Sequence, residues 1–168
     1  TTLTATVLAE AVVEPDETIF VNLTNPNNAT NNDGEGQGTI TNDDTAGVTI
    51  VQSGGSTDVT EGGATDSYTL VLTSEPTSNV SIALTPNAQV TAATSPVVFT
   101  AGNWNTPQTV TVTAVDDPVV EGPHTGTVGH TVTSADPVYN GLTVASVSVA
   151  ITDNDTPGAT VVQTGGTT

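Results

Sequence analysis

The chain has 168 residues, 18 of them acidic, with no lysine and no arginine, so its formal net charge is −18. Phosphate contacts depend on cationic side chains, so this composition argues against nucleic acid and anionic membranes as partners. The absence of lysine and arginine rules out their ion pairs, and the absence of cysteine rules out disulfide staples.

Thr and Val dominate, Gly and Pro are frequent, and no apolar run is long enough for a membrane helix. This is the composition of an all-β protein. In chain order, Thr2–Leu8, Thr18–Thr24 and Gly38–Thr41 read as strands, with Asn25–Gly36 as an exposed, Asn- and Gly-rich turn. Alternating apolar positions then predict Val48–Ser53 continuing to Val59, Ser67–Thr73, Val80–Thr85, Val97–Thr100, Gln108–Val115, Thr125–Thr133 and Leu142–Thr152. Asn140-Gly141 is a hairpin turn signal between the last two.

An internal repeat organises these strands. Ile40-Thr41-Asn42-Asp43-Asp44-Thr45 returns 111 positions later as Ile151-Thr152-Asp153-Asn154-Asp155-Thr156, and Val12-Val13-Glu14 returns 107 positions later as Val119-Val120-Glu121. A period of roughly 110 residues is too long for a solenoid unit and fits tandem β-sandwich domains. On this register residues 1–45 are the C-terminal part of one domain, 46–156 a complete seven-stranded antiparallel domain, and 157–168 the first strand of a following repeat. The strands of 1–45 are too few to close a sandwich alone. Neighbouring repeats are expected to complete them, or another copy of the chain by strand addition.

The densest chemistry lies in Val115-Asp116-Asp117-Pro118-Val119-Val120-Glu121-Gly122, on the loop that leaves the strand Gln108–Val115. In a seven-stranded antiparallel order the first, fifth and seventh strands end at one pole. That brings Glu61, then Asp116, Asp117 and Glu121, then Asp153 and Asp155 to the same tip. Crowded carboxylates without a basic partner repel one another, and a hard divalent cation with oxygen ligands relieves this. Asn42-Asp43-Asp44 and Asp153-Asn154-Asp155 fall at domain junctions, where an ion would stiffen a hinge; both are equally good turn formers.

Thr60-Glu61-Gly62-Gly63, Asp116-Asp117 followed by Glu121, and the closing Ile151-Thr152-Asp153-Asn154-Asp155 resemble a Calx-β domain. Glu14-Pro15-Asp16-Glu17-Thr18-Ile19-Phe20-Val21-Asn22-Leu23-Thr24-Asn25-Pro26 in the first unit resembles it too, and the resemblance covers essentially the whole chain. It implies an immunoglobulin-like β-sandwich with Ca²⁺ at the tip. The implied ligands are Glu61, Asp116, Asp117, Glu121, Asp153 and Asp155 in the complete domain. Glu14 and Glu17, with Asp43 and Asp44, hold the corresponding places in the first unit. The complete domain has His124 where the first unit has Glu17, and only Asn87 and Gln89 where the family has an acid, which implies fewer or weaker ions. Such domains occur in sodium–calcium exchangers and as tandem repeats of large extracellular bacterial and cyanobacterial proteins.

His124 and His130, six residues apart on one strand, read as surface residues rather than zinc ligands. Trp104 reads as a core or rim anchor, with stacking on a sugar as its functional alternative. No catalytic set is visible: there is no Cys, Lys or Arg, and no G-x-S-x-G. The expectation is therefore a non-enzymatic, secreted or cell-surface structural repeat, a Ca²⁺-rigidified adhesin stalk or filament subunit. A calcium-sensing regulatory module and a glycan-binding adhesive module are the alternatives.

Overall fold

A computed structural model describes residues 4–25, 27, 28, 30, 33–162 and 164. The protein is all-β. Its strands are β1 (Glu17–Asn22), β2 (Glu35–Ile40), β3 (Val48–Gln52), β4 (Asp58–Thr60), β5 (Asp66–Leu72), β6 (Val80–Pro86), β7 (Val90–Ala92), β8 (Val97–Phe99), β9 (Gln108–Ala114), β10 (His124–Ser134) and β11 (Val147–Thr152). β3 to β11 form a sandwich of two sheets, ordered β3-β5-β9-β7 and β4-β11-β10-β6-β8. β1 and β2 pair with each other in a separate antiparallel ribbon.

Period-2 alternation builds the core. In β9, Val110, Val112 and Ala114 point inward while Thr109 and Thr111 face solvent. Tyr68, Leu70 and Leu72 of β5 pack from the same sheet, against Val80, Ile82, Val128, Val149 and Ile151 of the other. The sheets pack closely at Gly126, where a Cβ would lie 2.6 Å from Val90 Cγ1. Trp104 is half-buried at the rim of this core, and its carbonyl accepts the Leu72 N–H at 3.1 Å.

Several expected elements differ from those observed. Val48 to Val59 is not one strand. Gly54 and Gly55 take φ of +65° and +95°, conformations glycine adopts without steric cost. There the chain crosses from the edge of one sheet to the edge of the other. β3 pairs antiparallel with β5, and β4 pairs parallel with β11. β7 is an additional short edge strand, so the sandwich has nine strands rather than seven.

The turn at Asn140-Gly141 does not close a tight hairpin. Residues 135–146 form a long connection anchored by Tyr139, whose buried hydroxyl donates to the Ser74 carbonyl at 2.7 Å. Consequently β11 starts at Val147 rather than Leu142. In the first unit Glu35 and Gly36 belong to β2 rather than to the preceding turn. Residues 4–8 carry no strand, and Thr2 and Leu3 lie outside the described residues. Ala11 and Val12 instead lie against the sandwich, where the Glu75 N–H donates to the Ala11 carbonyl at 2.7 Å. Residues 157–162 and 164 likewise carry no strand. In both places the Thr- and Val-rich text has the alternation of a strand but finds no pairing edge among the described residues.

Candidate metal centre

The site forms at the pole where β4, β9 and β11 end and β10 begins. Thr60 of β4 lies opposite Thr152 of β11, so Glu61 and Asp153 leave the sheet side by side. The Glu61 N–H then donates to the Thr152 carbonyl at 3.1 Å. Gly62 follows with φ of +58°, and a Cβ here would meet Asn154 Nδ2 at 2.9 Å and the Asp116 carboxylate at 3.2 Å. A glycine at this position is what lets the β9 exit loop close onto the β11 exit loop.

Asp153 organises the backbone. Its Oδ2 accepts the N–H groups of Glu121 at 2.7 Å and Gly122 at 2.6 Å, and its Oδ1 accepts that of Asp155 at 2.7 Å. Hydrogen bonds from Asp155 and Gly122, with a further one from Glu121, outweigh burial and hold Asp153 below the usual carboxylate range. Asn154 Nδ2 joins the other two loops, donating to the Glu61 carbonyl at 2.9 Å and to Asp116 Oδ1 at 3.1 Å.

Glu61 is only 2% exposed. Burial, together with the nearby Asp153 charge, pushes its carboxyl above the usual range. Burial followed by the charges of Asp153 and Asp116 does the same to Asp155. Glu61 Oε2 and Asp155 Oδ2 are both buried without a hydrogen-bond partner. Such atoms are costly, because desolvation is uncompensated.

His124 enters from the start of β10. Its Nδ1 is 2.9 Å from the Gly122 carbonyl, while Nε2 faces Glu121 Oε2 at 3.3 Å and Glu61 Oε1 at 3.6 Å. The hydrogen bond to Gly122, aided by the charges of Glu121 and Glu61, raises its pKa against the opposing effect of burial. Gln89 Nε2 donates to Glu121 Oε1 at 3.1 Å.

Two sets of donor atoms result, each within 4.8 Å of one another: Glu61, Asp153 and Asp155, and Glu61, Glu121 and His124. Glu61 belongs to both. Asp116 and Asp117 lie on the rim; Asp116 accepts from Asn154, and Asp117 Oδ1 accepts the Val119 N–H at 2.8 Å. The first set offers only oxygen donors, two of them orphaned and buried, with no lysine or arginine to neutralise them. That donor chemistry fits a hard divalent cation.

The first unit repeats part of this wiring. The Glu14 N–H donates to Asn42 Oδ1 at 3.4 Å and the Asp44 N–H to the same atom at 3.3 Å. The second contact has the pattern of Asp155 on Asp153. Glu14, Glu17, Asp43 and Asp44 line an open cavity of about 390 Å³ with Glu10. Among the described residues they join neither donor set.

The histidines are not scattered surface residues. His130 is half-buried, its Nε2 3.0 Å from the Tyr68 hydroxyl and its Nδ1 2.8 Å from the Ala145 carbonyl. His124 belongs to the site. Its spacing from Glu121 matches that of Glu17 from Glu14, and this repeat position is the signal that marks it. Gln89 stands where the family has an acid and Asn154 lies inside the junction motif, but neither position signals that its amide would donate to Glu121 or to Asp116.

No protein-family profile and no curated protein matches the chain. Among solved structures it is similar to the apo-form Calx CBD1 domain, with 16% identity, 64% of this chain and 98% of that one covered, and a TM-score of 0.46. It is also similar to the CooA pilin subunit from enterotoxigenic Escherichia coli, with 14% identity, 66% and 99% covered, and a TM-score of 0.41. Domains 4 and 5 of the S-layer protein SbsC match at 18% identity, 70% and 58% covered, and a TM-score of 0.34. Among the described residues no helix is long and apolar enough to cross a membrane.

Proposed function

We propose that this chain is a structural, Ca²⁺-binding module of a secreted or cell-surface protein, stiffened by the ion into a stalk or filament segment. One observation carries the reading: Glu61, an acid 2% exposed, keeps an unpartnered oxygen in the same donor set as Asp155, whose buried Oδ2 is equally unpartnered. Glu61, Asp153 and Asp155 would hold the ion, with Asp116 and Asp117 on its rim. Ca²⁺ supplies the positive charge that these oxygens lack.

Asp153 and Asp155 lie just after β11, so the ion would tie the departing segment to the end of β4. Neighbouring repeats are the natural partners of such a module. The exposed Phe20 on the β1–β2 ribbon is consistent with completion by further strands, from neighbouring sequence or from another copy.

Thermal unfolding of the full chain in millimolar Ca²⁺, in Mg²⁺ and in EDTA tests this. At ten times the dissociation constant, mass action stabilises by about 1.4 kcal/mol, a rise in Tm of about 7 °C for a domain of about 100 residues. A Ca²⁺-specific rise, lost in Asp155→Asn, is the expected result. Identical melts in Ca²⁺ and EDTA would reject the reading and leave the acids a solubilising role.

A further inference from the structure

The second donor set has a different chemistry from the first. The Gly122 carbonyl can only accept, so the hydrogen of neutral His124 sits on Nδ1. The lone pair of Nε2 is thereby aimed at two carboxylates, Glu121 at 3.3 Å and Glu61 at 3.6 Å. The Gln89 amide reaches Glu121 Oε2 at 3.4 Å, but His124 Nε2 is buried without a hydrogen-bond partner and faces Oε1 of Glu61, itself 2% exposed. Three electron-rich atoms held face to face require a cation, either a proton or a metal ion.

We propose that His124 Nε2, Glu121 and Glu61 form a site for a transition-metal ion of the zinc type, separate from the all-oxygen Ca²⁺ set and sharing only the Glu61 carboxylate with it. The spacing suits this ion. Zinc bonds of about 2.0–2.1 Å in a tetrahedron place ligand atoms about 3.3 Å apart, and the two measured separations are 3.3 and 3.6 Å. Imidazole suits zinc-like ions and is foreign to the oxygen shells of calcium.

The supporting contacts are also those a metal-bound histidine uses. A backbone carbonyl on the other ring nitrogen fixes tautomer and ring orientation, and Gln89 steadies the Glu121 carboxylate through Oε1. The fourth position is left to solvent. His130 cannot substitute, because both its nitrogens are engaged by Tyr68 and Ala145, and the chain has no third histidine and no cysteine.

Co²⁺ titrated into the full chain tests the site, because tetrahedral Co²⁺ has intense visible bands and the aqueous octahedral ion only weak ones. The wild-type protein should develop the tetrahedral bands, and Zn²⁺ should bleach them. Removal of an outer-shell partner such as the Gln89 amide weakens metal binding by about 10–100-fold, so Gln89→Ala should fall in that range. His124→Asn, which removes a ligand, should exceed it and abolish the bands. Asp155→Asn should keep the bands while losing the Ca²⁺-dependent rise in Tm, so failure of one reading is distinguishable from failure of the other. Absence of tetrahedral bands in the wild type overturns the proposal and leaves a proton between imidazole and carboxylates, and so does their persistence in His124→Asn. If His124→Asn does not fold in EDTA, undiminished Zn²⁺ affinity in Gln89→Ala overturns it instead.

Discussion

Asp136 and Glu61 sit at opposite ends of the sandwich, each 2% exposed, and the fold treats them in opposite ways. Asp136, just past β10, accepts the Thr77 N–H at 2.7 Å and the Val138 N–H at 3.0 Å. Its own N–H donates to Ser134 Oγ at 3.0 Å. Burial alone would raise its pKa, but the hydrogen bonds from Thr77 and Val138 bring it below the usual range. Glu61 has equal burial, keeps one oxygen unpartnered and faces further carboxylates. A buried acid supplied with donors is a staple of the fold. A buried acid denied them is a cost to the fold, because its desolvation is uncompensated.

Substitutions at the two poles should therefore differ in magnitude and in their response to metal. The largest effect belongs to Asp136→Ala, which orphans two N–H groups and removes charge-assisted bonds. It should cost about 3 kcal/mol, measured by urea unfolding, and equally in Ca²⁺ and in EDTA. A loss that depended on Ca²⁺ would break the contrast. Tyr139→Phe should follow, at about 1–2 kcal/mol, because it leaves the Ser74 carbonyl and N–H without their hydroxyl partner.

Glu61→Gln should be small and should change sign. In EDTA it melts no lower than wild type, since a charge without a donor is removed, whereas in Ca²⁺ it loses the ion-dependent rise. A large loss in EDTA would mean that Glu61 is a staple after all.

The smallest effect is the slope of stability against pH. Asp136 is depressed in the folded state, so its contribution is present above its unfolded pKa, about 3.9, and is lost as pH falls through the folded value. Glu61 and Asp155 are raised. Their contribution is full below their unfolded values and is lost as pH rises through the folded ones. In EDTA the urea midpoint should therefore fall as pH rises above the ordinary carboxylate range. Ca²⁺ should flatten that limb, because the metal replaces the proton. An unchanged limb in Ca²⁺ would show that the ion does not reach these oxygens.

The sandwich was legible wherever alternation was strict. β5, β6, β9 and β11 each bury every second residue, and one-faced burial leaves that pattern in the text. β7 left little trace, because three residues between Asn87 and Thr94 are too short to show a period. The switch between β3 and β4 was hidden because both halves alternate, and only Gly54-Gly55 marks the crossing. At the site, strand direction placed Glu61, Asp116, Asp153 and Asp155 at one pole. It could not foresee that Asp153 would spend its lone pairs on backbone N–H groups while Glu61 kept one free. Nor could it foresee Asp136, whose Ala135-Asp136-Pro137 setting reads as an ordinary turn.

The parallel pairing of β4 with β11 decides how the module bears tension. The polypeptide enters the sandwich at Val48, beside Leu72, and leaves past Thr152 at the other end. Pulling on the two flanks drags β4 and β11 in opposite directions along their shared edge. Their contacts, from the Ala150 N–H on the Thr57 carbonyl to the Glu61 N–H on the Thr152 carbonyl, are then loaded in shear. They must yield together rather than peel one at a time. An ion gripping Glu61 and Asp153 would rivet this seam at its outer end.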